Sequence, residues 1–152
     1  MNKLLLIAAL VAAAYFALTT GSGSPDSHGV AAQPGVASAA RGNDATLENA
    51  FASRTSNHRL AGQGTVVKLL PDDTNGSRHQ RFIVRLDSGQ TLLVSHNIDL
   101  AQRIDSLRAG DTVAFYGEYE WNPKGGVIHW THHDPQGSHP AGWLKHDGQT
   151  YQ

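Results

Sequence analysis

Five short runs of β-forming residues dominate the chain between residues 62 and 133. Each run is rich in β-branched or aromatic residues and is bounded by glycine, proline, asparagine or aspartate, a pattern that predicts strands joined by turns. The runs lie at residues 62–70, 79–86, 90–96, 112–121 and 127–133. The runs together predict a small, mainly β domain.

Local signals pair two of these strands and orient a third. The segment Asp87-Ser88-Gly89 lies between the second and third runs and predicts a hairpin. With a two-residue turn at Ser88-Gly89, His96 lies opposite Arg81. In the fourth run, every second residue of 113–121 is apolar or glycine, so these residues share one face of the strand.

The segment between the third and fourth strands predicts a helix. Asn97 is a suitable N-cap, Ile104 and Leu107 fall on one face with Leu100, and Gly110 follows the end. The order of three strands, a helix and two strands is that of an OB-fold. We therefore predict an all-β domain with one helix, a small five-stranded OB-like barrel over residues 47–152. Residues 47–53 are expected to form one or two helical turns, and residues 135–152 to wrap an edge of the barrel.

The N-terminus has the layout of an export segment. Lys3 precedes residues 4–20, which carry no charge. A basic start and an apolar run are typical of a signal peptide, and the run also approaches the ~17 residues of the shortest membrane-spanning helices. Residues 1–20 therefore predict a cleaved signal peptide or an N-terminal membrane anchor. The protein is expected to be exported to the periplasm, either soluble or tethered to the inner membrane by residues 4–20.

Residues 21–46 differ from the segments on both sides. They are rich in glycine, serine, alanine and proline and show no apolar periodicity. Such a composition buries too little apolar surface to order itself, and it predicts a flexible linker.

Composition excludes several classes of function. The 12 lysines and arginines nearly balance the 13 aspartates and glutamates, which argues against binding nucleic acid or anionic lipid through bulk charge. No cysteine is present, so disulfides, thiolate zinc sites and cysteine nucleophiles are excluded together. The nine histidines are the most unusual feature and direct attention to imidazole chemistry.

Four phrases carry a family resemblance. They are HQRF at 79–82, HNIDLA at 96–101, GEYEWN at 117–122 and HWTHHDP at 129–135. With the N-terminal apolar segment, they resemble an uncharacterised bacterial family of exported proteins that has an HWTH motif, a domain of unknown function. The resemblance covers about residues 60–152. It implies bacterial origin and export, and it brings no substrate, cofactor or catalytic residue.

The histidines after the fifth strand suggest a metal site. Imidazoles and carboxylates are good zinc ligands. Along one strand, however, residues four apart are separated by about 13 Å, so His129 and His133 cannot bind one ion together. A site for zinc or another divalent metal needs partners from other strands, and the candidates are His79, His96, His129 and Asp134. The alternative is that these imidazoles bond to carbonyls and carboxylates near the barrel rim.

Exposed aromatic and basic residues suggest a ligand-binding rim. OB-folds commonly bind oligonucleotides or oligosaccharides, although this is an analogy from fold. The candidate ligand-binding residues are Arg81, His96, Trp121, His129, Trp130, His132, His133 and Asp134. The alternative is that most of the aromatic rings belong to the core.

One carboxylate pair is also a candidate for chemistry. Glu118 and Glu120 share a face of the fourth strand, about 6.6 Å apart along it. They suit acid–base catalysis, or they form an exposed acidic face.

Three hypotheses follow for function. The first is an envelope-located, non-enzymatic OB-like binding module whose ligand is an oligonucleotide, a glycan or a protein partner. The alternative is a metal-dependent hydrolase that uses the histidine cluster and Arg81. Its substrates would include phosphodiesters. The third is an envelope scaffold whose exposed aromatic residues meet a partner protein.

Overall fold

The computed structural model describes residues 34–152, and the side chains of its helix from Asn43 onward. The predicted export segment 1–20 and the first part of the predicted linker lie outside the described residues. The described elements are α1 (Pro34–Ala52), β1 (His58–Leu69), β2 (His79–Arg85), β3 (Thr91–Asn97), β4 (Thr112–Glu120), β5 (Val127–His129), β6 (Trp143–His146) and β7 (Gln149–Tyr151). In this part of the chain, no helix combines the length and hydropathy that a membrane crossing requires.

The first five strands close into a barrel. They are hydrogen-bonded in the order β1-β2-β3-β5-β4, and β4 pairs again with β1. The β3–β5 pair is parallel and the other pairs are antiparallel. Closure leaves these five strands without a free sheet edge. The predicted five-stranded OB-like barrel is confirmed.

Alternating residues of the strands fill the barrel. On β4, Val113, Phe115 and Tyr119 are fully buried, which confirms the predicted shared face. Residues outside the strands complete the core, because Leu47 of α1 and Ile104 of the β3–β4 connection are also fully buried within it.

The predicted hairpin register is wrong by one residue. The Leu86 amide donates to the Gln90 carbonyl over 2.9 Å, so the loop contains three residues, and Gly89 adopts a φ of 91°. A three-residue loop ending in a left-handed glycine is a standard hairpin connection. His96 therefore pairs with Gln80, not with Arg81. A shift of one residue moves a side chain to the other face of the sheet, so His96 points into the barrel.

The predicted helix between β3 and β4 does not form. One turn is present, in which the Ala101 amide donates to the Asn97 carbonyl. Further along, the buried side chain of Gln80 donates to the Ile104 carbonyl and accepts from the Ile104 amide, both over 2.9 Å. These bonds hold the backbone open while Ile104 and Leu107 pack into the core. Tertiary contacts override local helix propensity here.

The helix instead precedes the barrel. The sequence predicts one or two turns at 47–53, whereas α1 spans Pro34–Ala52 and so begins within the predicted linker. Proline is favoured at the first position of a helix, and alanine-rich sequence supports its continuation. Its last turns reach the barrel through buried Leu47 and Ala50. The Trp121 indole Nε1 also donates to the Phe51 carbonyl over 3.1 Å.

The C-terminal segment contains two strands that the sequence analysis did not predict. β6 pairs with β4 and β7 pairs with β6, which extends the sheet beyond the closed barrel. Asp147 and Gly148 connect them with φ values of 48° and 73°, the geometry of a two-residue hairpin turn. The predicted fifth strand is shorter than expected, because it ends at His129.

Candidate functional site

The strand β5 ends where Trp130 adopts a left-handed backbone conformation, with a φ of 52°. Such a conformation is unusual for a bulky residue and needs support from its surroundings. Support comes from both sides. Thr131 is fully buried and bonded to His96, and the Gly142 amide donates to the His132 carbonyl over 2.9 Å. The backbone is therefore fixed while the Trp130 side chain stays 37% exposed.

Trp130 belongs to the wall of a groove of about 400 Å³. The wall is rich in imidazoles, which come from His79, His129, His132 and His139. The Trp130 ring stacks on the His139 ring with centroids 4.2 Å apart, and the His132 ring meets His139 edge-on at 5.3 Å. The groove thus has one continuous aromatic side.

Asp134 organises the loop that carries His139. Its carboxylate accepts hydrogen bonds from the Gln136, Ser138 and His139 amides and from the Ser138 hydroxyl. These bonds, led by the Ser138 hydroxyl, hold the pKa of Asp134 well below its usual range. Because the carboxylate is occupied within its own loop, Asp134 positions the groove wall.

His96 is fully buried and both of its ring nitrogens have partners. Its Nε2 donates to the Gln102 carbonyl over 3.2 Å, which leaves Nδ1 to accept from the Thr131 hydroxyl over 2.8 Å. Burial, the largest effect, lowers the pKa of His96 to about 4, so the ring is neutral. A neutral imidazole with two satisfied nitrogens supports the loop from inside and has no nitrogen left for a metal or a ligand.

The predicted metal set is therefore not assembled. His79 and His129 line the groove, but His96 lies inside the barrel and Asp134 is used by its loop. His79 also directs Nδ1 to the Ser77 carbonyl over 2.8 Å. The prediction that joined His96 to this set rested on a two-residue turn, which placed His96 opposite Arg81, whereas its partner is Gln80.

The predicted ligand-binding residues divide into two groups. The groove collects His129, Trp130, His132 and Asp134. The other four lie elsewhere: Arg81, His96, Trp121 and His133.

Each of the remaining outer residues has a different setting. The Arg81 guanidinium donates to the Pro71 carbonyl through Nε over 3.1 Å and through Nη2 over 3.0 Å. The Trp121 ring stacks on Phe51 of α1 with centroids 6.4 Å apart. His133 is exposed and is not part of the groove wall. The predicted rim of Arg81, His96, Trp121 and the segment 129–134 is therefore not one surface, since only part of that segment lines the groove.

His139 and Leu100 also line the groove, although the sequence patterns did not indicate them. Leu100, 46% exposed, was assigned to the buried face of the predicted helix. His139 lies in a segment with little periodicity. The available signal was Asp134-Pro135, since an aspartate that begins a turn can bond to amides a few residues later and fix the loop.

A different group of side chains is arranged to suit a metal. Among residues 34–152, the group of three that comes close enough is Glu118, Glu120 and His129, whose ligand atoms all lie within 4.8 Å of one another. His129 is shared with the predicted set, while the two glutamates were predicted to form an acid–base pair or an exposed acidic face.

Most of the chain matches a known protein family. A family model described as a protein of unknown function, DUF3465, matches residues 31–152. No curated protein matches the chain. The predicted membership in an uncharacterised family is confirmed, while the motif, the bacterial origin and the export remain predictions.

Proposed function

We propose that this chain is a non-enzymatic binding module that holds a neutral carbohydrate segment in the groove beside Trp130. The chain belongs to the DUF3465 family of proteins of unknown function. The observation that carries the proposal is the Trp130 indole, which stays 37% exposed in the groove wall on a left-handed backbone. Residues held in such conformations cluster at ligand sites, where the surrounding structure stabilises them.

The aromatic wall supports a ligand with a flat apolar face. Trp130 and His139 form a stacked pair at 4.2 Å, and Leu100 and Pro135 add apolar surface to the groove. Binding sites for small ligands typically combine such surfaces with a few polar groups that fix orientation. A sugar ring has this dual character, since its C–H face is apolar and its hydroxyls are polar.

The charge of the groove favours a neutral ligand over a nucleic acid. The groove residues include no lysine and no arginine. Proteins neutralise a phosphate backbone mainly with these two residue types. The carboxylate of Asp134 further disfavours a polyanion, so we assign the groove to a glycan rather than an oligonucleotide.

Polar side chains supply the complementary hydrogen bonds. Asn97, Gln136 and Ser138 line the groove together with the imidazoles. Amides and hydroxyls both donate and accept, which matches the two-way hydrogen bonding of sugar hydroxyls. This supports recognition of hydroxyl groups rather than of a charged group.

We place this binding outside the cytosol. The support is the sequence alone, in which Lys3 is followed by the uncharged residues 4–20. A barrel exported in this way would meet envelope glycans directly.

The experiment is a binding screen with the purified full chain in detergent, using neutral oligosaccharides and, separately, single-stranded oligonucleotides. Trp130→Ala is expected to weaken glycan binding by about tenfold or more, because an aromatic stacking surface is removed. Trp143→Ala is the matched control, since Trp143 is also partly exposed but lies against Tyr116 outside the groove.

Two results would contradict the proposal. Equal losses in the Trp130 and Trp143 variants would show that the groove is not the binding site. Preferential binding of oligonucleotides, with an affinity that falls steeply as salt rises, would replace the glycan assignment with nucleic acid.

A further inference from the structure

Two glutamates and a histidine converge on the outer surface of the barrel. Glu118 and Glu120 are alternate residues of β4 and so share its outer face. His129 of β5 pairs directly with Glu118 across the antiparallel ladder. Glu120 lies diagonally from His129, at a distance that long side chains still bridge. The three ligand atoms lie within 4.8 Å of one another.

The His129 imidazole has an unexplained nitrogen. Its Nε2 is shielded from solvent and has no hydrogen-bond partner within the described part of the chain. An imidazole with an unpartnered, shielded nitrogen beside two carboxylates calls for a partner, such as a water molecule or an ion.

We propose that Glu118, Glu120 and His129 form a binding site for a divalent transition metal, with zinc as the expected ion. An imidazole nitrogen and carboxylate oxygens are established zinc ligands, and their combination favours zinc over calcium or magnesium, which prefer oxygen alone.

The required movement is small. Two ligand atoms that are each about 2.0–2.2 Å from a tetrahedral zinc lie roughly 3.5 Å apart. The ligand atoms, now within 4.8 Å of one another, must therefore approach by about 1 Å, a shift that rotation of the long glutamate side chains supplies. Three protein ligands leave at least one coordination position for water or another small ligand.

Arg59 gives the site a distinctive electrostatic setting. It pairs with Glu118 from the other side of β4, and its guanidinium lies 4.9 Å from the Tyr116 ring centroid. Its side-chain nitrogens have no hydrogen-bond partner among residues 34–152. The adjacent positive charge partly offsets the two carboxylates and opposes cation binding, so it lowers the metal affinity.

The experiment measures zinc and manganese binding to the full chain in detergent, purified without a histidine tag. Equilibrium dialysis followed by mass spectrometry of the metal is expected to give about one equivalent of zinc per chain. Glu118→Gln and Glu120→Gln are each expected to raise the zinc dissociation constant at least about tenfold, since each replaces a charged ligand with a neutral amide of the same shape. His129→Ala is expected to do the same.

Matched controls separate this site from the other histidines. His133→Ala removes an exposed imidazole that is not part of the site, and Glu48→Gln removes an exposed carboxylate on α1. Both are expected to keep the zinc affinity of the unmodified chain. If His129→Ala fails to fold, the two glutamate variants still decide the question, because they preserve side-chain shape.

Two outcomes would overturn the proposal. One is the absence of stoichiometric zinc binding at micromolar zinc. The other is binding that survives Glu118→Gln and Glu120→Gln but is lost in His132→Ala or His139→Ala, which would move the ion into the groove. The measurement uses no carbohydrate, so its result is independent of the proposed ligand.

Discussion

His96 is a buried base whose pKa in the folded protein is lowered to about 4, mainly by desolvation. An unfolded chain restores the ordinary value near 6.5, so between these two pH values the unfolded state binds more protons than the folded state. The contribution of neutral His96 to the free energy of unfolding is therefore fully present above pH 6.5, and it is lost progressively as the pH falls towards 4. We expect this residue to lower the free energy of unfolding by about 3 kcal/mol across that window.

The measurement is urea unfolding of the full chain and of His96→Gln at pH 7, 5.5 and 4. Other groups also titrate, so the two proteins are compared in their pH dependence rather than in absolute stability. The variant is expected to lose less stability on acidification. The exposed Gln63→Met changes no titratable group and is expected to retain the original pH dependence. Identical pH profiles for His96→Gln and the unmodified chain would refute the role of His96.

At the scale of the element, Gln80 decides the conformation of the connection between β3 and β4. Its side-chain amide satisfies both backbone groups of Ile104 inside the protein. We expect Gln80→Met to lower the free energy of unfolding by about 3 kcal/mol, because two buried polar groups lose their partners at once. Hydrogen exchange over residues 98–110 is expected to become faster.

The control for this prediction is Gln63→Met, which changes an exposed glutamine on β1. Its stability is expected to stay within about 0.5 kcal/mol of the unmodified chain, as is usual for surface substitutions. Equal effects of the two substitutions, measured by urea unfolding, would show that the Gln80 bonds do not hold the connection.

At the scale of the whole molecule, the proposed location depends on residues 4–20. We expect a phosphatase that is active only outside the cytosol to be active when fused after Gln152. Val11→Arg is expected to reduce that activity strongly, because a charge at the centre of the apolar run disfavours insertion by about 3 kcal/mol. Val30→Arg, the same change outside the run, is expected to have little effect.

Cell fractionation of the same fusion distinguishes the two forms of export. A tethered protein stays with the membrane, while a cleaved protein appears in the soluble periplasmic fraction. An inactive fusion, or activity insensitive to Val11→Arg, would contradict export through this segment.

The candidate groove shows why sequence patterns identified only part of the site. The run from His129 to Asp134 was recognised because unusual residues are adjacent in sequence. His139 and Leu100 were missed because their places depend on the Asp134 loop and on the absence of the predicted helix. His96 was assigned to the ligand-binding rim through a register error, although its actual partner, Thr131, supports the same loop from inside.

The positions of the five barrel strands and the buried face of β4 follow from the sequence by itself, because period-two alternation and turn residues act over a few neighbouring positions. Tertiary structure decided the remainder. The hairpin register depended on the three-residue turn at Gly89, and the open connection depended on Gln80, which is distant in sequence from Ile104. The convergence of Glu118 and His129 likewise arises only when β4 and β5 pair. The Gln80–Ile104 bonds and the Glu118–His129 pair are contacts between separate segments, and such contacts exist only once the chain has folded.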